Sequence, residues 1–278
     1  MSELQKVIKY CAIGFAAFLA FSIITGILTG IFALSGSFSG IGSANTVNVS
    51  KSFEDVKSLS ADNGIGTFTI KVGESDKVEV VAENVSENFR VEKSFSGNLE
   101  IKSTFNFWNF FNGAGNQNGQ AKITIYIPKD FKAENVEINA GAGNVNIEAL
   151  STKKLNINAG AGNIYGKNIT ASEVKLDGGV GEITLEQVDL SKVDIDCGVG
   201  NVNLQGSMYG KCKIDCGVGE VKLNLKGSTD DYNLNIEKGL GSVYIEGEKY
   251  SDLNWNNITA SNSLDIDGGV GDIDIDFE

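Results

Sequence analysis

Histidine is absent from the 278-residue chain, arginine occurs once, at Arg90, and proline once, at Pro128. Without histidine there is no His-ligated zinc or haem, no Ser-His-Asp or Cys-His nucleophile, and no switch that titrates on an imidazole. Cysteine is scarce too: Cys11, Cys197, Cys212 and Cys216, with no C-x-x-C spacing, which leaves redox or thiolate-metal chemistry without a motif. Basic residues are outnumbered, 23 Lys+Arg against 36 Asp+Glu, for a net charge of −13. That surplus repels nucleic acid, and no nucleic-acid partner is expected.

One long apolar run is present. Residues 11–34 carry no charge, and as a helix they would measure about 36 Å, enough for a hydrocarbon core of about 30 Å. The run is longer than the roughly 7–15 apolar residues of a cleaved signal peptide, so a retained transmembrane helix is expected rather than a removed leader. Lys6 and Lys9 precede it. Positive-inside bias then leaves residues 1–10 cytoplasmic and everything after the helix outside the cytoplasmic membrane. Residues 35–45, rich in Gly and Ser, read as a short tether.

Glycine is the other abundance, at 34 residues, and it is phased. The blocks Asn139–Asn144, Asn158–Asn163, Asp177–Glu182, Asp196–Asn201 and Asp215–Glu220 recur every 19 residues. Two more, Glu237–Ser242 and Asp267–Asp272, follow at steps of 22 and 30. Each block carries a Gly-x-Gly pair: Gly141/Gly143, Gly160/Gly162, Gly179/Gly181, Gly198/Gly200, Gly217/Gly219, Gly239/Gly241 and Gly269/Gly271. Apolar residues alternate on both sides, giving columns such as Ile138/Ile157/Leu176/Ile195/Ile214 and Val145/Ile164/Ile183/Val202/Val221. Two short strands cannot bury a face alone, but stacked units can. A 19-residue period is too short for a βαβ unit or a propeller blade. The expected fold is therefore all-β: a parallel β-solenoid over 131–278, with the glycines at turns that need positive φ or close backbone packing.

The column Ala142, Ala161, Val180, Val199, Val218, Leu240 and Val270 reads as interior and would widen the coils toward the C-terminus. The long last step places an insertion in 246–263, as a loop or a flap across the stack. Residues 46–130 are less regular and are expected to cap the N-terminal end. Within them Asn63-Gly64-Ile65-Gly66 looks like a degenerate first unit, with further strands near 77–82, 89–93, 99–103 and 122–127.

Gly-x-Gly strand repeats downstream of one N-terminal span resemble the large DUF4097-like bacterial family of β-strand-repeat proteins of unknown function, often labelled "putative adhesins". The chain is similar in particular to its envelope-stress-associated, membrane-anchored members from Gram-positive bacteria. The resemblance covers roughly residues 46–278 and implies a right-handed parallel β-helix at the cell surface. It supplies no catalytic residues to carry over.

Several residue groups stand as site candidates. The outward column Asn139, Asn158, Asp177, Asp196, Asp215, Glu237 and Asp267 stacks carboxylates about 5 Å apart, which Ca²⁺ could relieve; the plain reading is a solvated acidic face. Phe105, Phe107, Trp108, Phe110 and Phe111 form either a lid on the first coil or a patch for lipid or a membrane partner. Tyr165, Tyr250 and Trp255 are candidate sugar-stacking aromatics. Cys197 and Cys216 share one interior column and read as buried space-filling thiols, since parallel stacking directs both Cβ atoms the same way.

These features point to a non-enzymatic scaffold, anchored in the cytoplasmic membrane, that contacts an envelope polymer or a membrane regulator, with envelope sensing as the narrower reading. No cofactor beyond Ca²⁺ at the acidic column is indicated. The alternative is carbohydrate- or cation-dependent adhesion. A polysaccharide-active enzyme is least supported: lyase chemistry wants a strong base beside Ca²⁺, and Arg90 lies outside the repeats. Leu264, Ile266, Val270, Ile273 and Ile275 are expected to form the last coil. Its open edge would be guarded by the insertion and by Asp265, Asp267, Asp272, Asp274 and Asp276, keeping the soluble domain monomeric.

Overall fold

The structure, a computed structural model, describes residues 46–103, 121–251, 253–255, 257 and 260–278. The expected anchor and tether (1–45) and the cluster Phe105, Phe107, Trp108, Phe110 and Phe111 lie outside the described residues. Among the described residues no helix is long and apolar enough to cross a membrane.

What is described is all-β: one sheet of 23 strands and a 3-10 turn at Thr229–Asp231. The N-terminal region supplies β1 (Thr46–Phe53), β2 (Ser58–Ile65), β3 (Thr67–Val72), β4 (Val78–Ser86), β5 (Arg90–Lys93), β6 (Asn98–Ser103) and β7 (Lys122–Ile127). The phased region supplies β8 (Lys132–Ala142), β9 (Val145–Ile147), β10 (Leu150–Ala161), β11 (Ile164–Lys167), β12 (Ile169–Val180), β13 (Ile183–Ser191), β14 (Val193–Val199), β15 (Val202–Tyr209), β16 (Lys211–Val218) and β17 (Val221–Leu225). The C-terminal region adds β18 (Tyr232–Leu240), β19 (Val243–Ile245), β20 (Glu248–Tyr250), β21 (Leu253–Trp255), β22 (Asn262–Val270) and β23 (Ile273–Phe277).

A coil is two strands meeting at a Gly-x-Gly corner, and coils stack in parallel. Val136 pairs with Leu155, Leu155 with Val174 and Val174 with Val193, so the register between neighbours is the 19-residue sequence period itself. This keeps every apolar column intact, and Ile138, Ile157, Leu176, Ile195 and Ile214 are all buried. The column at the inner side of the corner is small: Ala140, Ala159, Gly178, Cys197, Cys216 and Gly268 follow one another in register. Asn63 continues it between Ala140 and Ser103, buried and with neither amide atom partnered.

The column Ala142 to Val270 is not interior. Ala142 and Leu240 are exposed, and Ala161, Val180, Val199, Val218 and Val270 are half-buried. The buried alternation stops one residue before the first corner glycine, at Ala140 and its equivalents, and does not carry on to the residues between the glycines. No widening of the core follows from them.

The corners explain the glycines in two ways. Gly143, Gly162, Gly181, Gly200, Gly219, Gly271 and Gly241 hold φ between +141° and +148°, where an L side chain is strained. At the first glycine of a pair the limit is space: a Cβ on Gly160 would sit 2.6 Å from the carbonyl oxygen of Gly141 in the coil below.

Both ends depart from chain order. At the N-terminal end β2 and β3 lie directly on β8 and β9, while β6 and β7, later in sequence, lie outside them. Antiparallel β5 and β4 then cover β6 and β7, and β1 adds to β4. At the C-terminal end β22 and β23 slot between β16/β17 and β18/β19. The coil expected to be last is thus an inner one, with Leu264, Ile266, Ile273 and Ile275 buried. The insertion sets this order. After β19 the chain doubles back as β20 and β21, antiparallel on β19 and β18, and fills their outer edges. Only the inner edge remains open to β22 and β23. The insertion does fold over the end of the stack, but the edge it covers belongs to β18 and β19.

Candidate functional site

The outer face of β8, β10, β12, β14, β16, β22 and β18 carries three polar columns, because every second residue of these strands points out. The acidic one runs Asn139, Asn158, Asp177, Asp196, Asp215, Asp267, Glu237, so five carboxylates are consecutive in space although their coils are not consecutive in sequence. Lysines from the adjacent column neutralise two of them within the same strand: Lys175 Nζ lies 3.6 Å from Asp177 and Lys213 Nζ 2.5 Å from Asp215. Asp194 sits in register between Lys175 and Lys213. Asp196 has no lysine of its own. Its carboxyl is held above the usual range, first by partial burial, then by Asp194, by a hydrogen bond with Asp177, and by Asp215. Among the described residues no three His, Cys, Asp or Glu side chains are grouped to hold a metal ion; the column is a ladder, one carboxylate per coil.

A second ladder, at the residue after each corner, was not anticipated. The Oδ1 of Asn144 accepts the backbone N–H of Asn163 at 3.1 Å, and that of Asn163 accepts the N–H of Glu182 at 2.9 Å. Asn201 does the same for Glu220 and Asp272 for Ser242. Each side chain caps a corner N–H that the parallel ladder leaves over. The signal in sequence was Asn or Asp as the sixth residue of a block.

The candidate aromatics separate. Tyr165 is half-buried on the opposite outer face and donates its hydroxyl to Glu186 Oε2 at 3.0 Å, which Lys167 Nζ also meets at 3.2 Å. That bond to Tyr165 and the lysine both hold the Glu186 carboxyl below its ordinary range, the lysine's hydrogen bond being the larger cause. Tyr250 packs against the core from the flap strand β20 and donates to Glu248 at 3.3 Å. Only Trp255 keeps a substantial open surface, 41 % exposed, opposite Leu234.

The thiols are internal. Cys197, Cys212 and Cys216 are free and buried, and Cys197 stands in register with Cys216. The Cys216 thiol is pushed up by its contact with Cys197 and by burial, and Cys212 is pushed up by burial. Tyr232 closes the core near β15, donating to the Met208 carbonyl at 2.9 Å, and burial raises its phenol to about 12.

Beside the flap, a cleft of about 390 Å³ is lined by Asn233, Leu234, Asn235, Asn257, Ala260, Ser263 and Asp265. Register brings these residues together from separate parts of the chain: Asn233 faces Ser263 and Asn235 faces Asp265 across β18 and β22. Asn233 Oδ1 accepts the Asn257 N–H at 2.8 Å, and Asn235 Oδ1 accepts from Asn254 at 3.3 Å, tying the insertion to the rim. Sequence reading named Trp255 nearby and, of these lining residues, Asp265 alone, as a guard of the last coil's edge. They are unremarkable until the closing coil lies beside β18.

The sequence profile of the family described as Toastrack DUF4097 matches residues 56–278. The chain belongs to that family. No curated protein matches it. Solved structures similar to this Toastrack chain include a "putative adhesin" from Bacteroides fragilis, with 18% identity, TM-score 0.43, and coverage of 85% of this chain and 100% of that one. A "putative cell adhesion protein" from Clostridium sporogenes has 19% identity, TM-score 0.37, and coverage of 84% and 100%. A "putative lipid binding protein" from Parabacteroides distasonis has 13% identity, TM-score 0.40, and coverage of 84% and 98%. These relatives carry the names of adhesins or lipid-binding proteins, not of enzymes.

Proposed function

We propose that this Toastrack chain is a non-enzymatic, right-handed β-helical scaffold, anchored by residues 11–34 in the cytoplasmic membrane and presented outside it, where it contacts an envelope polymer or a membrane partner. The observation that carries the reading is the division of labour in each coil. Apolar columns run unbroken from Ile101 to Ile236 and from Ile123 to Val243 and fill the interior, while polar columns run the outer face. A stack built this way offers recognition chemistry on its surface and its ends. Protease shaving of intact cells tests the placement. Digestion of the domain after residue 45 without opening the cells is expected; a domain cleaved only in opened cells would sink the reading.

A second reading, carbohydrate adhesion, is favoured by the cleft beside Trp255, where Asn233, Asn235, Ser263 and Asp265 offer amide, hydroxyl and carboxylate groups suited to sugar hydroxyls. A glycan array probed with and without Ca²⁺ separates the two. Binding that is lost in Asn235→Ala and Asp265→Asn supports adhesion, and Ca²⁺ dependence would draw the acidic column into it.

A further inference from the structure

Phe95 is the most exposed large apolar side chain of the described residues, its ring lying wholly in solvent. The other described phenylalanines do not resemble it: Phe68 and Phe89 are buried, and Phe53, Phe131 and Phe277 pack on the core. Isolated surface apolar residues are ordinary, but this one tops a turn that is pinned in place. Between β5 and β6 the Ser94 N–H donates to Asn98 O at 2.9 Å, the Gly97 N–H to Ser94 O at 3.0 Å, and the Asn98 N–H to Ser94 Oγ at 3.2 Å. The hydroxyls of Ser94 and Ser96 lie 2.7 Å apart, and Gly97 O accepts the N–H of Lys57 at 2.8 Å. These bonds fix the backbone of the hairpin that presents the ring.

Position gives the ring a partner. β5 and β6 belong to the N-terminal end of the stack, and so does β1, whose first residue, Thr46, continues from the Gly/Ser segment 35–45. Eleven residues, 35–45, separate the expected anchor from Thr46. If residues 11–34 are the anchor, the chain coming from the bilayer enters the stack at the end that carries Phe95. Lys57, exposed beside Gly97, suits a headgroup region that holds an aromatic ring at the acyl boundary, whereas the Lys93 ammonium is taken up by the Glu54 carbonyl at 2.7 Å.

We infer that Phe95 is a membrane-contact residue whose ring enters the interface of the bilayer that anchors the chain, fixing which end of the stack faces the lipid. This rests on the anchored reading proposed above. The test uses the full chain reconstituted into phosphatidylcholine–phosphatidylglycerol vesicles, with and without brominated acyl chains. F95W is compared with L240W, an exposed position on the coil at the other end of the stack. The emission added by the tryptophan at 95 is expected to shift to the blue and to be quenched roughly two-fold by brominated lipid, and that at 240 to do neither. Alkaline extraction of the same vesicles separates the two ideas. A chain that resists extraction while F95W stays unquenched overturns the lipid contact alone and leaves the ring to a protein partner. A chain that extraction releases overturns the anchored reading, and the contact with it.

Discussion

The middle of the stack and its two ends use the same coil but obey different rules. From β8 to β17, neighbours in sequence are neighbours in space, because each 19-residue step returns the chain to the same phase one layer on. At the ends the chain leapfrogs: β6/β7 pass outside β2/β3, and β22/β23 pass inside β18/β19. In both places the sequence between the displaced coils contains antiparallel strands that cover an edge, β4 and β5 at one end, β20 and β21 at the other. A parallel edge invites further strands. At the C-terminal end β20 and β21 close β18/β19, and β22/β23 enter from the inner side; at the N-terminal end β4 and β5 close β6/β7, the coil that has passed outside β2/β3. Regular repeats therefore extend the stack, and broken repeats terminate it.

The largest expected effects come from the corners that both regions share. Gly271→Ala, at φ +143° with a Cβ driven into the Gly219 carbonyl, should cost roughly 3 kcal/mol or more. Gly247→Ala, at φ +73° in open space within the insertion, should cost about 1 kcal/mol. Urea unfolding followed by circular dichroism measures both. Equal losses would mean that the corner contact is not what excludes side chains.

Next comes a test of the leapfrog itself. Ile266→Ala, in the inner closing coil, should cost about 2–4 kcal/mol, as much as Ile195→Ala in the middle of the stack. A much smaller loss at Ile266 would place β22 at a frayed end. Replacing residues 248–255 by a Gly/Ser segment of equal length should leave the inner coils folded but uncover β18 and β19. Concentration-dependent association in light scattering is the expected outcome, and a strictly monomeric variant would show that the flap does not guard the edge.

The smallest effect concerns charge. Because the Asp196 carboxyl is raised in the folded chain, the native state holds its proton more tightly than the unfolded one. Its contribution therefore opposes folding above the raised value and fades as pH falls through it toward the unfolded value. Asp196→Asn should give a slightly higher melting temperature at neutral pH, with the gain shrinking in acid and in high salt. An unchanged or lower melting temperature at neutral pH would mean that its neighbours do not press on this carboxylate.

Much of the middle could be read directly. Gly-x-Gly spacing, the alternation around it and the 19-residue phase named the coil, its register and its buried columns, and the pairing of Asp177 with Asp196 and Asp215 followed. The corner itself was harder. Ala142 and Val180 looked interior because the alternation was carried past Ala140 and Gly178, where the inward phase ends although the strands run on to the corners at Gly143 and Gly181. The ladder of Asn144, Asn163 and Asn201 was visible only as a recurring residue type, since capping depends on the coil above.

What the amino-acid sequence determined by itself is whatever is local and periodic: the strands, the glycine corners, the repeat step, the acidic outer face and the absence of histidine chemistry. What only the tertiary structure decided is the order of coils wherever the period breaks, and with it the cleft at Asn235 and Asp265 and the neighbour of every end coil. The physical reason is that all these coils present nearly the same apolar columns and glycine corners, so their mutual affinity is close to degenerate. Which edges remain open, after the antiparallel strands have taken theirs, chooses among them.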